Sequence, residues 1–509
     1  MSAGNEPDRR GSQRGARQEG GRGRRQGNGQ TNRQGTQRRG GADRRPGRVS
    51  ASRLVAYDVL RDVVDRDAYA NLALPARIRE AGLDERDAAL ATELAAGTLR
   101  MRGRYDRIIE LASGRELAQI DDRTLNVLRL GAHQLLGMRV ASHAAVNESV
   151  ELQRRVANQN AAGFVNGVLR AIGRADNAEW DDRIDAEAAR PDDALAARAS
   201  HPVWVLRALR DALKAEGRED ELPELLAADN TPPRVSLAVL PGAGEEPSAL
   251  AAEFDALAAA GPSPLGVELA GGDPMRAIRA ADAPEGLIRV QDQGSQLAAL
   301  ALTRARPAAA GERWLDLCAG PGGKTAVLGA EAIASGATVR ANEVSDHRAD
   351  LVDRAVEGVA DAVTVVSHDG RDDAAFGGSA ETFDRILVDA PCSGLGALRR
   401  RPEARWRKRP GDLPELTELQ GQLLDAAAEH LAPGGLLAYV TCSPHLAETR
   451  VTVDRFLART PGLREVSAKA AIAEVARGEI DLAGDQLSAQ LWPHRHGTDA
   501  MFVALFERA

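Results

Sequence analysis

Cysteine, aromatic residues and long apolar runs are all scarce in this sequence, and each shortage excludes a class of protein. Three cysteines among 509 residues cannot build a disulfide framework, so we expect a reducing, cytoplasmic compartment. The sequence has no run of about 18 uncharged apolar residues, which argues against a membrane span, and no apolar signal segment opens the chain. Aromatic residues make up only 3%, yet apolar residues reach 43%. That apolar content can fill sizeable cores, and the length suggests about three domains.

Lysine is rare as well, although the chain holds 66 basic residues. A lysine within so strong an arginine bias is a candidate for a chemical role. The four lysines are Lys214, Lys324, Lys408 and Lys469.

The net charge of −8 hides a basic tail on an acidic body. Residues 1–48 contain 13 Arg, 12 Gly and six Gln, and no Leu, Ile, Phe, Trp or Tyr. A segment of this composition cannot bury enough apolar surface to offset its ordering entropy, so residues 1–50 are predicted to be a disordered Arg/Gly-rich tail. Two interpretations stay open: an arm that binds RNA phosphates, or a solvating tail.

Three further regions follow the tail. Apolar residues recur at helical spacing over residues 51–175, which predicts an all-helical domain. That domain holds no titratable cluster, so we interpret it as a binding module. Residues 176–290 are predicted to be a linker and a small connector domain, with a charged linker at 176–199, a helix at Trp204–Ala215 and a strand at Arg234–Leu240.

Residues 291–509 alternate strand and helix, which predicts an α/β domain with a doubly wound parallel sheet. In such sheets ligands bind at the carboxyl ends of the strands. The predicted strands are Arg313–Leu317, Thr338–Glu343, Thr364–Ser367, Arg385–Asp389, Leu436–Thr441 and Met501–Glu507. The predicted helices include Gly294–Arg304, Lys324–Ala334 and Glu418–Leu431.

The first strand runs into a glycine-rich turn that opens a helix, Cys318-Ala319-Gly320-Pro321-Gly322-Gly323-Lys324-Thr325. A phosphate loop of the Walker A type would need Gly at position 318, and the G-x-G-x-x-G pattern is absent too. The turn therefore suggests an adenosine-type site without a pyrophosphate, although a tight strand-to-helix turn is the plainer alternative. Glu343, 20 residues after Gly323, is suited to ribose hydroxyls. Asp369, after the third strand, is suited to an adenine amino group.

All three cysteines follow predicted strand ends: Cys318, Cys392 after Asp389-Ala390-Pro391, and Cys442 after Thr441. Their spacing includes no C-x-x-C and no histidine pair completes a set, so we expect no metal site. A free cysteine is commonly a small core residue. Three of them at strand ends favour a reactive role for at least one.

A basic run follows the fourth strand at residues 399–409, with seven basic residues and one tryptophan. Such a run is often a solvated face. Here it continues a candidate reactive loop in an acidic body, so we interpret it as a phosphate-binding patch. The predicted RNA-contacting residues are Arg399, Arg400, Arg401, Arg405, Trp406, Arg407, Lys408 and Arg409.

Together these motifs resemble the Sun/nucleolar-protein family of RNA cytosine-C5 methyltransferases across residues 291–509. The segments that carry the resemblance are LDLCAGPGGKT, ANE, HDGR, DAPCSGLGALRRRPEARW and YVTCSP. In the helical domain, Ala70-Asn71-Leu72 and the segment from Phe164 to Arg170 resemble the RNA-binding fold of NusB. The fusion of the two is similar to that of the ribosomal small-subunit methyltransferase B group.

The resemblance implies a Rossmann-like methyltransferase domain, S-adenosyl-L-methionine as methyl donor, and 16S ribosomal RNA or a partly assembled ribosomal particle as partner. We also expect a monomer. The implied catalytic residues are Cys442 as nucleophile, Cys392 in product release, and Asp389 and Lys324 at the target base. The implied cofactor-binding residues are Cys318, Ala319, Gly320, Pro321, Gly322, Gly323, Lys324, Glu343, Asp369 and Asp389. Many members of the resembling family have Ala at the position of Gly320 and Asp at that of Glu343.

Two alternatives remain. In DNA cytosine-C5 methyltransferases the cysteine of the Pro-Cys pair is the nucleophile, which would make Cys392 catalytic and leave Cys442 without a role. A non-enzymatic protein, such as an RNA-binding or antitermination-like assembly factor with an inactive methyltransferase domain, is the second. The glycine loop, Asp389 and both cysteines together argue against an inactive domain.

Overall fold

The structure is a computed structural model and describes residues 49–244, 246–254, 257–281 and 283–509. Residues 1–48 of the predicted Arg/Gly-rich tail, residues 1–50, lie outside these ranges. Within them, no helix is long and apolar enough to cross a membrane.

The first part of the described chain is helical, as predicted, but the helices continue well beyond residue 175. One π-helical turn, Glu93–Gly97, joins α3 to α4. The helices are α1 (Ala51–Asp65), α2 (Ala70–Glu80), α3 (Glu85–Thr92), α4 (Thr98–Arg100), α5 (Arg102–Ser113), α6 (Asp122–Leu136), α7 (Ser142–Val156), α8 (Ala162–Ile172), α9 (Asn177–Ala186), α10 (Pro191–Arg198), α11 (Val203–Ala215) and α12 (Leu222–Asp229).

The charged linker predicted at 176–199 is wrong, because this segment forms α9 and α10. A capping box starts α9: the Asp176 side chain accepts from the Glu179 backbone N–H, and the Glu179 side chain accepts from the Asp176 N–H. Two apolar side chains of α9, Trp180 and Ile184, are buried in the core of the helical domain. The caps and these buried positions outweigh the high charge of the segment.

The connector contains a four-stranded antiparallel sheet in the order β2-β3-β1-β4. Its predicted strand at Arg234–Leu240 is present as β1. The elements are β1 (Val235–Val239), α13 (Pro247–Glu253), β2 (Leu257–Ala258), β3 (Gly266–Leu269), α14 (Pro274–Ala280) and β4 (Ile288–Val290).

The remaining chain forms the predicted alternation of strands and helices. Its strands are β5 (Arg313–Asp316), β6 (Thr338–Asn342), β7 (Val363–Val366), β8 (Phe383–Asp389), β9 (Leu431–Thr441), β10 (Leu463–Val466), β11 (Ala489–Gln490) and β12 (Phe502–Arg508). Its helices are α15 (Gln293–Thr303), α16 (Gly323–Ser335), α17 (Asp346–Ala355), α18 (Asp373–Phe376), α19 (Ala404–Arg407), α20 (Leu413–Glu429), α21 (Arg450–Arg459), α22 (Ala468–Val475) and α23 (Pro493–His496).

These strands form one sheet in the order β10-β12-β9-β8-β5-β6-β7, with β11 paired to β12. Strands β5 to β9 run parallel, whereas β10, β11 and β12 pair antiparallel. The prediction of a doubly wound, Rossmann-like sheet is confirmed, with an antiparallel edge in addition. The chain leaves β5 in both directions across the sheet, so the switch point lies between β5 and β8, where such sheets bind ligands.

Side chains of the central strands alternate between two apolar layers, because successive residues of a strand point to opposite faces. On β9, Leu437 and Tyr439 join the layer that contains α20 and α21, whereas Ala438 and Val440 join the opposite one. That opposite layer contains α15, α16 and α22, and it also contains Leu237, Val267 and other residues of the connector sheet. The connector and the large sheet therefore share one core.

Candidate active site at the carboxyl edge of the large sheet

The five parallel strands end at the same edge, and each is followed by a segment that the sequence singled out. Across the sheet, the order is Cys442 after β9, Asp389 and Cys392 at the end of β8, the glycine turn after β5, Glu343 after β6, and Asp369 after β7. The candidate reactive groups and the candidate adenosine-binding groups therefore flank the switch point from opposite sides.

The glycine turn after β5 is held close to the neighbouring strand. The Ala319 N–H donates to the Asn342 carbonyl at 2.8 Å. Gly322 has a φ of +94°, and a Cβ there would lie 2.5 Å from the Ala355 Cβ. Only glycine satisfies both the dihedral angle and the close approach. The turn then opens α16 at Gly323, whose first backbone N–H groups are free to bind a ligand.

Glu343 braces the glycine turn. Its carboxylate is almost fully buried and accepts from the backbone N–H groups of Gly320 at 3.0 Å and Ser345 at 3.2 Å. The guanidinium of Arg348 lies 3.2 Å from this carboxylate and donates to the Gly320 carbonyl at 2.8 Å. Glu343 therefore lies against the turn that carries the candidate cofactor-binding residues.

Asp369 is held by its own loop. Its carboxylate accepts from the Arg371 backbone N–H at 3.0 Å and from the Arg371 guanidinium at 2.9 Å. The hydrogen bond from Arg371 lowers the pKa of Asp369 to about 2. Asp369 thus presents an ionised carboxylate at the outer parallel strand.

Asp316, the last residue of β5, belongs to this edge although the sequence did not single it out. Its Oδ2 accepts from the Thr325 hydroxyl at 2.8 Å, and its buried Oδ1 has no hydrogen-bond partner. Burial raises the pKa of Asp316 to about 7. The apolar run before it, Trp314-Leu315, was the available signal.

Lys324, which is buried, and Asp389, which is partly exposed, form an ion pair between the first turn of α16 and the end of β8. The Lys324 Nζ donates to the Asp389 Oδ2 at 2.7 Å. Burial alone would lower the pKa of Lys324, but the charge of Asp389 and this hydrogen bond raise it above its usual value. The lysine is therefore a fixed positive charge at the switch point.

Cys392 and Cys442, 50 residues apart in sequence, meet at this point with their sulfurs 3.4 Å apart. The hydrogen bond from Cys392 lowers the pKa of Cys442, and the nearby Lys324 ammonium adds to this effect against burial and the charge of Asp389. Cys392 shows the opposite shift. The hydrogen bond to Cys442, burial and the charge of Glu448 raise the pKa of Cys392 well above its usual value.

The third cysteine differs from this pair. Cys318 starts the glycine turn beside the apolar layer of α20 and α21. Burial and the nearby carboxylates raise its pKa well above its usual value, so Cys318 remains a neutral thiol.

Glu448 is a second residue that the sequence did not single out. It is fully buried and accepts hydrogen bonds from Ser393 and Ser443, the residues that directly follow the two cysteines. The repeated Cys-Ser dipeptide was the available signal. The dipeptides did not identify Glu448, because a Cys-Ser pair in a sequence does not show which acceptor its serine binds.

The basic run 399–409 is largely an internal structure, and the prediction that all of it contacts RNA is wrong. Arg405 is completely buried and donates to the Ser200 carbonyl at 2.9 Å and the Asn230 Oδ1 at 2.9 Å. Arg399 is also buried and donates to the Gly497 carbonyl at 2.8 Å. Arg400 donates to the Asp499 and Asp292 carboxylates. These guanidiniums replace solvent with protein acceptors, so they are not free to bind phosphate.

Three further residues of the run, Arg401, Trp406 and Arg407, contact the helical domain. The Arg407 guanidinium donates to the Val63 and Ala68 carbonyls. The Trp406 ring packs so closely on Gly103 that a Cβ there would lie 2.5 Å from the ring. Arg401 stacks over the Tyr69 ring at 5.0 Å. Arg401 and Arg409 are exposed and Lys408 is partly exposed.

Within the described ranges, no group of three or more His, Cys, Asp or Glu side chains is arranged to hold a metal ion.

Two family models match the chain. The model described as 16S rRNA methyltransferase RsmB/F matches residues 305–507, and the NusB family model matches residues 50–174. The ribosomal RNA small subunit methyltransferase B of Erwinia tasmaniensis is 32% identical over 465 residues, covering 89% of this chain and 97% of that protein. The Mycobacterium tuberculosis protein Rv1407 is 45% identical over 477 residues, covering 93% of this chain and 99% of its own.

Among solved structures, the crystal structure of PH0851 superposes with a TM-score of 0.72 at 21% identity. It covers 90% of this chain and 98% of that one. This likeness shows that the two chains share a fold.

The Rossmann-like sheet, the glycine turn at its switch point and the NusB-like helical domain define an S-adenosylmethionine-dependent RNA methyltransferase. Its substrate class is ribosomal RNA. Within that class, the chain belongs to the 16S rRNA methyltransferase RsmB/F family, because it aligns over nearly its whole length with ribosomal RNA small subunit methyltransferase B. The resemblance read from the motifs is confirmed.

The edge of the sheet fits S-adenosylmethionine. The glycine turn packs tightly against Glu343, since a Cβ on Gly320 would lie 2.3 Å from the Glu343 Oε2. The free N–H groups at the start of α16 suit a carboxylate. The buried, unpartnered Asp316 Oδ1 is an open acceptor beside the same turn.

Proposed function

We propose that this protein methylates C5 of a cytosine in 16S ribosomal RNA through a covalent bond between Cys442 and C6 of the base. The observation that carries the proposal is the pair of sulfurs 3.4 Å apart beside the Lys324–Asp389 ion pair. C5 of cytosine is a poor nucleophile on its own. Addition of a thiolate at C6 gives C5 the character of an enamine carbon.

Cys442 is the better nucleophile of the two because the hydrogen bond between the thiols lowers the pKa of Cys442 and raises that of Cys392. The Lys324 ammonium adds a smaller stabilisation of a thiolate at Cys442, against the charge of Asp389, and burial and the charge of Glu448 further disfavour a thiolate at Cys392. In the first step the Cys442 sulfur forms a bond to C6, and the electron pair of the C5–C6 double bond moves toward C5 and N3. The Lys324 ammonium donates a hydrogen bond to Asp389 at 2.7 Å. Through this hydrogen bond, the pair can deliver a proton to N3 of the base as negative charge develops there.

The cofactor loop and the acids after β6 and β7 supply the second half of the site. S-adenosylmethionine, when bound, supplies the methyl group that C5 takes. Cys318 to Lys324 would hold its methionine and ribose parts, with Glu343 at the ribose hydroxyls and Asp369 at the adenine. Asp389 lies at the strand between the two halves and would face both.

Release of the product requires that the C5 proton leaves and that the bond between the Cys442 sulfur and C6 breaks. Cys392 lies within reach of that bond, since its sulfur lies 3.4 Å from the Cys442 sulfur. We assign Cys392 to this stage. The target base must be unstacked to reach the thiols, and Arg401, Lys408 and Arg409 remain the residues of the basic run that can contact its backbone.

Covalent trapping tests the assignment of the two cysteines. Cys392→Ala should accumulate a denaturant-resistant protein–RNA adduct when given cofactor and unmodified ribosomal RNA, because the adduct forms but is not resolved. Cys442→Ala should form no adduct. An adduct that persists in Cys442→Ala and is lost in Cys392→Ala would make Cys392 the nucleophile, as in the DNA enzymes.

Bisulfite mapping tests the target. Ribosomal RNA from a strain without the gene should lose protection at a small-subunit cytosine, and transfer of labelled methyl groups by the purified protein should restore it. If every ribosomal cytosine stayed unchanged and no label were transferred under conditions in which the cofactor binds, the assembly-factor alternative would replace this proposal.

A further inference from the structure

Glu448 is a buried carboxylate that joins the two loops that carry the thiols. It ends the short 3₁₀ turn Leu446–Glu448 and has no exposed surface. One oxygen accepts from the Ser393 backbone N–H at 2.7 Å and from the Gln420 amide at 3.3 Å. The other accepts from the hydroxyls of Ser393 and Ser443, the latter at 2.7 Å.

Through the two serines, this carboxylate connects the segments that carry the two cysteines. Ser393 follows Cys392 and Ser443 follows Cys442, and the two hydroxyls lie 3.0 Å apart. Each thiol is therefore one residue away from a group that Glu448 binds. A displacement of either serine moves the adjacent cysteine backbone with it.

Glu448 is itself fixed from two sides. The Tyr439 hydroxyl, on β9, donates to the Glu448 carbonyl at 2.7 Å. Gln420, on α20, donates to both Glu448 and the Pro391 carbonyl, the latter at 2.8 Å. Four hydrogen bonds to one buried carboxylate offset the cost of removing it from water, and they define a single arrangement of the two loops.

We propose that Glu448 is a positioning residue that sets the separation of the Cys392 and Cys442 sulfurs. Its part in methylation rests on the function proposed above. Its geometric role does not, because the 3.4 Å separation of the sulfurs can be tested by a reaction that needs neither RNA nor cofactor. A shift of about 1 Å at reacting groups lowers a rate by about 100-fold, so loss of this carboxylate should act on turnover.

The separation of the thiols can be measured without catalysis. Diamide takes two electrons and two protons from a thiol pair, joining the sulfurs as a disulfide while the diamide becomes a hydrazine. Two sulfurs 3.4 Å apart should react rapidly within one molecule, and peptide mass spectrometry identifies the Cys392–Cys442 product. We expect Glu448→Ala to slow this reaction by about tenfold or more. It should also lower kcat for methylation strongly while KM for RNA changes little.

Glu448→Gln is the conservative variant. Its amide can keep the carbonyl oxygen toward the Ser393 N–H and donate from its nitrogen to the two hydroxyls, which can reverse their direction. It should therefore recover most of the disulfide rate. Ser443→Ala, which removes one hydroxyl and leaves the carboxylate in place, should give an intermediate rate and keeps the test open if Glu448→Ala does not fold.

Glu312→Ala is a matched control. Glu312 is also a mostly buried carboxylate in a hydrogen-bonded network, with Arg385 at 2.8 Å, but it lies before β5, at the opposite edge of the sheet. It should lower the melting temperature without changing the disulfide rate. A folded Glu448→Ala protein that forms the disulfide at the wild-type rate would overturn the positioning role, whatever the methylation assays show.

Discussion

Gly320 and Glu343 both depart from the residues common in the resembling family, Ala and Asp, and in the structure the two positions touch. A Cβ on Gly320 would lie 2.3 Å from the Glu343 Oε2 and 2.7 Å from the Arg348 Nη2. Moving the carboxylate aside would break its hydrogen bonds with the Gly320 and Ser345 N–H groups. The longer acid thus occupies the space that a shorter acid would leave for a methyl group.

We therefore predict that Gly320→Ala alone weakens S-adenosylmethionine binding by about tenfold or more, since overpacking of this kind costs about 1–3 kcal/mol. Adding Glu343→Asp should restore most of the affinity, because it shortens the acid by one methylene group. Isothermal titration calorimetry on the two single variants and the double variant measures the coupling. Strictly additive losses would show that the two departures are independent.

The reactivity of Cys442 should depend on pH in a way that reports its neighbours. Because Cys392 and Lys324 lower the pKa of Cys442, its alkylation by iodoacetamide should reach half its maximal rate at a lower pH than that of an ordinary thiol, about 8.5. Cys392→Ala removes the hydrogen-bond donor and should move this midpoint upward. Mass spectrometry of the Cys442 peptide gives the rate at each pH. A midpoint unchanged by Cys392→Ala would remove the thiol pair as its cause.

At the scale of elements, the short helix α19 is a link between parts of the chain that are distant in sequence. It follows the loop of Cys392 and inserts Arg405 among the Arg100, Ser200 and Asp229 carbonyls. Just before it, the Glu403 carboxylate accepts from the Ala70 N–H at 3.1 Å. The loop that carries one thiol is thereby anchored in the helical domain.

Two arginines of one basic run should consequently respond in opposite ways to substitution. Arg405→Ala leaves several buried acceptors unpaired and should lower the free energy of unfolding by about 3–5 kcal/mol, the range for breaking a buried charged network. Arg409→Ala, at an exposed position, should change stability by less than about 0.5 kcal/mol and instead weaken RNA binding and its salt dependence. Urea denaturation and filter binding measure the two quantities. Equal loss of stability in both variants would contradict this division.

The sequence predicted elements better than the contacts between them. Buried parallel strands read as apolar runs, so the strand that ends at Asp389 and the strand that precedes Cys442 were predicted to end where they do. The burial of Arg405 was not predictable, because a charged side chain enters a core only where a distant segment supplies acceptors. The role of Glu448 was not predictable for the same reason, since its carboxylate accepts a hydrogen bond from Ser393, 55 residues away.

At the scale of the whole molecule, the cores do not follow the boundaries that composition suggested. The core of the helical domain closes within residues 49–184. The layer beneath the large sheet, in contrast, includes Leu237, Val267 and Ile288 of the connector together with α15 and α22. Helices α11 and α12 in turn share a core with Leu395 and Leu398, which follow Cys392.

A fragment of residues 49–190 should therefore fold and melt cooperatively on its own. Its complement, residues 191–509, keeps the connector and should also fold. A fragment of residues 291–509, cut at the boundary suggested by the sequence, exposes one apolar layer of the sheet and should aggregate or melt without cooperativity. Circular dichroism melts of the three fragments test this. A sharp melt of residues 291–509 would show that the shared layer is dispensable.

The position of β12 in the sheet has a consequence for synthesis of the chain. This strand, Phe502–Arg508, follows both β9 and β10 in sequence but lies between them in the sheet. While the ribosome is still making it, β9 and β10 have no partner at those edges, and the layer above them lacks Phe502 and Phe506. Domains fold in the order in which they emerge, so the helical domain is already folded while the large sheet still lacks β12. The nascent chain is therefore most vulnerable to aggregation just before its catalytic site can form.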